Sequence, residues 1–303
     1  MIRLCSTACS SCFKARQRRN STCYSSCVLR IAILVALAIV ALIALALLPP
    51  IHQDPNYHAF ADQRTIWGVP NFWNVVSNLP FLLVAIWGLR AFRNRKAFLQ
   101  PWERIAYSIL LLGVALVAFG SSYYHAWPDD ATLFWDRLPM TLVFMSLLAT
   151  TIGERISMRC GRLLLLPLIA IGAGSVFTWR FSGDLRLYGI VQFYPMLSMP
   201  LMLILFPSRY SSAFGAWAMI GFYGLAKILE FFDHQIADVL SRGGHPWKHL
   251  AGATAMFCYV TAVSNRRPVT GAPESSSLIE IENRRSTGSP PHLHPGSSSE
   301  PER

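Results

Sequence analysis

The sequence predicts an all-α integral membrane protein, a seven-transmembrane-helix bundle preceded by one extra N-terminal hydrophobic helix. Three observations lead there. Hydrophobic residues make up 53% of the 303-residue chain and charged residues 14%, against the ~25% charge of soluble domains. Eight apolar runs approach the ~20 residues that a bilayer core requires. The loops between them alternate in charge.

The first run, Ile31 to Leu48, is eighteen residues without a charge; it follows Arg30 and stops at Pro49-Pro50. Its leader of about thirty residues and its long apolar stretch suit an uncleaved signal anchor better than a cleaved signal peptide, whose apolar region is ~7–15 residues. Seven runs follow: Asn71–Phe92, Arg104–His125, Thr132–Ile152, Leu163–Trp179, Leu187–Phe206, Ala213–Asp233 and Pro246–Ser264. Pro and Gly interrupt several of them, as membrane helices allow when neighbours satisfy the freed backbone. The fifth and sixth runs are short and share a tight loop.

The implied organisation is a basic, Cys-rich tail over 1–30, the anchor over 31–50, an outward loop over 51–70, the helical core over 71–265 and a Ser/Pro/Gly-rich tail over 266–303. That last segment is too poor in apolar residues to offset chain entropy and reads as disordered.

Net charge is +11, which invites a nucleic-acid reading. The distribution argues against one. Arg3, Lys14, Arg16, Arg18, Arg19 and Arg30 precede the anchor, and Arg93, Arg95, Lys96, Arg155, Arg159, Arg162, Arg209, Arg266 and Arg267 fall in alternate loops. Asp54, Asp62, Asp129, Asp130, Asp184 and Asp238 fall in the others. With basic loops inside, both termini are cytosolic and the acidic loops face the lumen or exterior. The endoplasmic reticulum or Golgi is the expected membrane. Five of seven cysteines (Cys5, Cys9, Cys12, Cys23, Cys27) sit in the cytosolic tail and none in an outward loop, so no lumenal disulfide framework is implied. Tail palmitoylation suits them better than zinc, since no histidine accompanies them.

Ionisable groups within membrane segments are costly and mark function. Here they gather at one depth. His125 closes the third run, Asp136 opens the fourth, and His245 and His249 open the eighth, all at outward ends. His245 and His249 are four apart and share a helix face; Ser121 stands likewise to His125. Three imidazoles with a fourth position left for water is a catalytic type of zinc site, and a carboxylate beside it can orient or deprotonate that water. A single imidazole at an interface usually has no such role; the coincidence of all five residues carries the reading. Lys227, Glu230 and Asp233 nearly align and read as an ion pair between helices. Arg137 is expected to pair with a carboxylate or snorkel. Trp67, Trp73, Trp127, Trp135, Trp179 and Trp247 read as an interfacial belt.

Ser121-x3-His125, Asp136 and His245-x3-His249, together with Asn71-Phe72-Trp73-Asn74-Val75-Val76-Ser77-Asn78, resemble the alkaline ceramidase family, including alkaline phytoceramidases, over about Asn71 to Ser264. That family belongs to a superfamily of seven-helix hydrolases shared with the adiponectin and progestin receptors. The resemblance implies a zinc-dependent amidase that splits ceramide into a sphingoid base and a fatty acid. His125, His245 and His249 would be the zinc ligands, and Asp136 and Ser121 the catalytic residues. The implied partners are a ceramide-type lipid and the bilayer; no protein partner is indicated. Animal members carry an acidic calcium-binding segment before the first core helix. Here Asn71 replaces its Glu and Asp62 is the one nearby carboxylate, which leaves Ca2+ doubtful. Gly183-Asp184-Leu185-Arg186 and Lys227-x2-Glu230-x2-Asp233 look more like the bacterial and plant-type branch. A receptor with structural zinc, a hydrolase of another lipid amide or ester, and a transporter are the rival readings; the absence of an internal repeat disfavours the last.

Overall fold

The computed structural model describes residues 21–93 and 97–269. Most of the basic tail, with Cys5, Cys9 and Cys12, lies outside those residues, as does the C-terminal tail from residue 270 that the sequence marks as disordered. The described chain is helical throughout: α1 (Ser21–Leu47), a 3-10 turn (Pro55–His58), α2 (Phe72–Val76), α3 (Leu79–Ala91), α4 (Pro101–Ala126), α5 (Asp130–Arg155), α6 (Met158–Ser182), α7 (Arg186–Leu205), α8 (Phe214–Phe231), α9 (Asp233–Ala237) and α10 (His245–Asn265).

Six helices among the described residues are long and apolar enough to cross a membrane: α1, α2 with α3, α4, α5, α6 and α7. The chain is therefore a multi-pass, all-α membrane bundle. Helices α8 and α10 occupy the other two apolar runs, and they carry Lys227, Glu230, His245, Lys248 and His249. Each of those groups lowers the apolarity of its helix.

The boundaries follow local chemistry. Asp129 accepts the Thr132 N–H at 2.6 Å and starts α5, an N-cap that satisfies one of the helix's orphan donors. Helix α6 begins at Ser157, which caps Cys160, and ends at Gly183; it is longer than the apolar run Leu163–Trp179. The run Asn71–Phe92 is broken into α2 and α3. Pro80, without an N–H, forces the break, and the Asn74 carbonyl then accepts from Ser77 Oγ (3.1 Å) and Asn78 Nδ2 (2.8 Å).

The core is built by α4, α5, α7 and α10, with Tyr107, Leu110, Leu147, Met199, Met202 and Val260 buried among them. Gly120 lets α4 approach α5 closely, since a Cβ there would collide with the Trp135 carbonyl. At one end of the bundle Arg266 joins three helices: it is buried, bonds Glu154 on α5 and Glu103 on α4 (3.3 Å), and lies 3.6 Å from the Tyr210 ring centre. The histidines sit at the other end.

Candidate metal centre

The three histidines are delivered by two helices, α4 and α10. His125 is the second-last residue of α4, and its carbonyl accepts from Asn71 Nδ2 at 2.8 Å. Asn71 adopts the left-handed region (φ 47°) to reach it, a conformation that asparagine tolerates better than most residues. His245 is the first residue of α10, and its N–H donates to Asp233 Oδ1 at 2.8 Å. The chain turns into α10 through Gly243 (φ 69°), where a Cβ would also crowd Asp233. His249 follows one turn later.

All three rings are buried, and their Nε2 atoms meet. His125 Nε2 lies 3.2 Å from His249 Nε2 and 3.3 Å from His245 Nε2; one nitrogen from each ring falls within 4.8 Å of the others. Phe60 packs on the cluster, 4.7 Å from the His125 ring and 4.6 Å from the His245 ring. One shared proton could join only two of those nitrogens, whereas a cation at the centre engages all three. Zinc–imidazole bonds of ~2.0–2.1 Å span tetrahedral edges of about 3.3 Å, which two of the observed separations match. The residues present fit a metal ion.

The ring of His249 is oriented from behind. Its Nδ1 lies 2.8 Å from Ser77 Oγ, and the Ser77 hydroxyl in turn donates to the Asn74 carbonyl. A hydroxyl that gives its proton to Asn74 can only accept from the ring, an arrangement that puts the hydrogen on Nδ1 and leaves Nε2 its lone pair.

Ser121 and Asp136 line, with His249, a cavity of about 140 Å³ between α4, α5, α8 and α10. Its remaining walls are largely apolar: Phe81, Val114, Val117, Phe144, Leu147, Met219 and Met256. The shape is that of a ligand site, apolar with a few polar groups converging at one end. At that end Glu230 takes Lys227 at 2.6 Å and Lys248 at 2.7 Å.

The ceramidase family model matches residues 64–229, more than half of the chain. The chain belongs to the ceramidase family. Ceramidases are amide hydrolases acting on the N-acyl bond of ceramide, a two-chain membrane lipid, and a buried polar corner opening on an apolar cavity within a membrane bundle accords with that. No curated protein and no solved structure matches the chain. The ceramidase match contains Ser121, His125 and Asp136 and ends before His245 and His249. Those two reach the cluster through α10.

The structure thus gathers the five residues singled out from the sequence at one end of the bundle. Three expectations are corrected. Asp233 leaves the Lys227–Glu230 row and instead receives the N–H groups of Ala61 (3.0 Å) and His245, because α8 ends at Phe231. Arg137 is held by rings and an amide, 4.2 Å from the Trp179 ring and 4.9 Å from Tyr188, with Nη2 donating to Gln53 at 2.6 Å. Trp179 is accordingly no belt residue but buried, at 3% exposure, whereas Trp67, Trp127 and Trp135 are exposed. Sequence reasoning missed Phe60 and the parts played by Ser77, Asn74 and Asp233. The Phe-Trp-Asn-x-x-Ser-Asn segment was visible as a signature, but nothing in it discloses a partner 172 positions away.

Proposed function

We propose that this ceramidase-family chain is a zinc-dependent membrane amidase cleaving ceramides, phytoceramides among them, with His125, His245 and His249 as the metal ligands and Asp136 and Ser121 as the catalytic pair. The observation that carries the reading is the meeting of the three Nε2 atoms at 3.2 and 3.3 Å beside a cavity that also holds Asp136. Zinc, when bound, supplies a Lewis acid that polarises the amide carbonyl and lowers the pKa of water. The protein's own groups do the rest. Asp136 takes a proton from the attacking water as the new C–O bond forms, and returns it to the nitrogen as the C–N bond breaks. Fatty acid and sphingoid base leave, and atoms balance. Ser121 holds the Asp136 carboxylate in place, and the apolar cavity walls exclude bulk water.

The histidine end is read as lumenal or exoplasmic, in the endoplasmic reticulum or Golgi, because Arg93, Arg155, Arg159, Arg209 and Arg266 lie in the loops or helix ends of the opposite side. Calcium stays outside the proposal: both Asp62 carboxylate oxygens take Arg64, at 2.7 and 2.9 Å. A Ser121–Asp136 pair at the cavity favours hydrolysis over a receptor that keeps its metal for structure alone. Lipid analysis after incubating wild type and His249→Ala with a mixed ceramide panel tests the reading. Free base and fatty acid should appear with the wild type alone and vanish on chelation. Turnover unaffected by chelation or by His249→Ala sinks it.

A further inference from the structure

A second cleft, of about 610 Å³, lies between α1 and α7. Helix α1 is outside the matched region 64–229, and the roles given above leave it unused. We infer that α1 and α7 form the binding cleft for the hydrocarbon chain of the sphingoid base, with the acyl chain in the cavity beside His249. This rests on the amidase reading.

The two spaces adjoin at one corner. Asp136, Met140, Lys227, Glu230 and Lys248 line both, whereas His249 and Ser121 line only the first and Tyr57 and Arg137 only the second. The scissile carbonyl has to sit by the histidines, so the chain attached to it runs into the first cavity. The departing amine then lies at the shared corner, where the base's hydroxyls meet Glu230, Lys227, Lys248 and Tyr57. Its tail has the second cleft left to it.

The cleft suits a tail. Leu37, Ala41 and Ala44 form one stripe of α1 at helical spacing, lining the cleft with Gly189 and Phe193 of α7. Alanine and glycine leave the width; a Cβ on Gly189 would meet nothing within 4 Å. The first half of α1 packs on the core through Leu34, whose carbonyl accepts from the Tyr194 hydroxyl at 3.4 Å, and its far end is pinned as well. Arg186 donates to the carbonyls of Leu45 (2.9 Å) and Leu48, and pairs with Asp184 at 2.7 Å. The Leu185 N–H donates to the Ile51 carbonyl at 2.8 Å. These bonds hold the polar end of the cleft at fixed width.

Filling the cleft from either wall tests this, with Ala44→Trp on α1 and Gly189→Phe on α7. The substrates are three synthetic ceramides: both chains long, acyl chain cut to about six carbons, and base cut to about six carbons. Both variants should lower kcat/KM at least tenfold for the two long-base substrates and leave the short-base one within twofold of wild type. Because the short-base substrate reports an intact catalytic site, misfolding shows itself as loss on all three; Ala44→Leu, a smaller filling, should then give a graded loss on long bases alone. Equal loss on all three by Ala44→Leu also, a loss that follows acyl length, or unchanged profiles would overturn the inference. A wild type that cleaves none of the three instead overturns the amidase reading itself.

Discussion

Ser77, in the break between α2 and α3, lies 2.8 Å through its hydroxyl from Nδ1 of His249 on α10. A residue 172 positions away thus contacts the imidazole nitrogen that faces away from the cluster. Outer partners of this kind typically change metal affinity 10–100-fold. Ser77→Ala should weaken zinc binding by that order, measured by chelator competition, with helical content unchanged. Unaltered affinity would show that the hydroxyl only fills space.

Removing a ring has a larger effect. His125→Ala, His245→Ala or His249→Ala should each lose stoichiometric zinc in metal analysis of the purified protein. Chelation should lower the wild-type Tm, since an ion that binds only the folded state stabilises it by RT ln(1 + [L]/Kd). Variants that retain one zinc per chain would show that the cluster is not the metal site.

Asp136→Asn keeps the shape but cannot take a proton. General-base steps contribute ~10²–10⁴-fold, so kcat should fall by about that range with zinc content preserved. Ser121→Ala should cost less, since it removes only the support. A fully active Asp136→Asn would remove Asp136 from the chemistry.

Gly120 places α4 against the Trp135–Asp136 backbone. Gly120→Ala should drive the helices apart beside Ser121 and Asp136, lowering kcat by tenfold or more through geometry, where misplacements of ~1 Å can cost 10²-fold. Activity equal to wild type would mean that the helix contact yields without moving the pair.

Arg266 tests the other end of the bundle. Removing one partner of a buried ion pair costs ~3–5 kcal/mol, because Glu103 and Glu154 would be left without their common partner. Arg266→Ala should lower thermal stability in detergent while the zinc stoichiometry of the folded fraction stays at the wild-type value. A melting temperature within a degree of wild type would show that these carboxylates find other partners.

Composition, apolar runs and charged loops were enough to read a multi-pass helical bundle, since a bilayer imposes length and apolarity on each spanning segment separately. The one-depth coincidence of His125, Asp136, His245 and His249 was also legible, because depth is counted along single helices. Tertiary structure alone decided which groups stand behind those residues: Ser77 on His249, Asp233 on the N–H of His245, and the rings of Trp179 and Tyr188 on Arg137 in place of a carboxylate. It also decided that α1 borders a cleft. Such pairings depend on how helices rotate and approach one another, as at Gly120, and rotation and approach are properties of the packed interface rather than of any one segment.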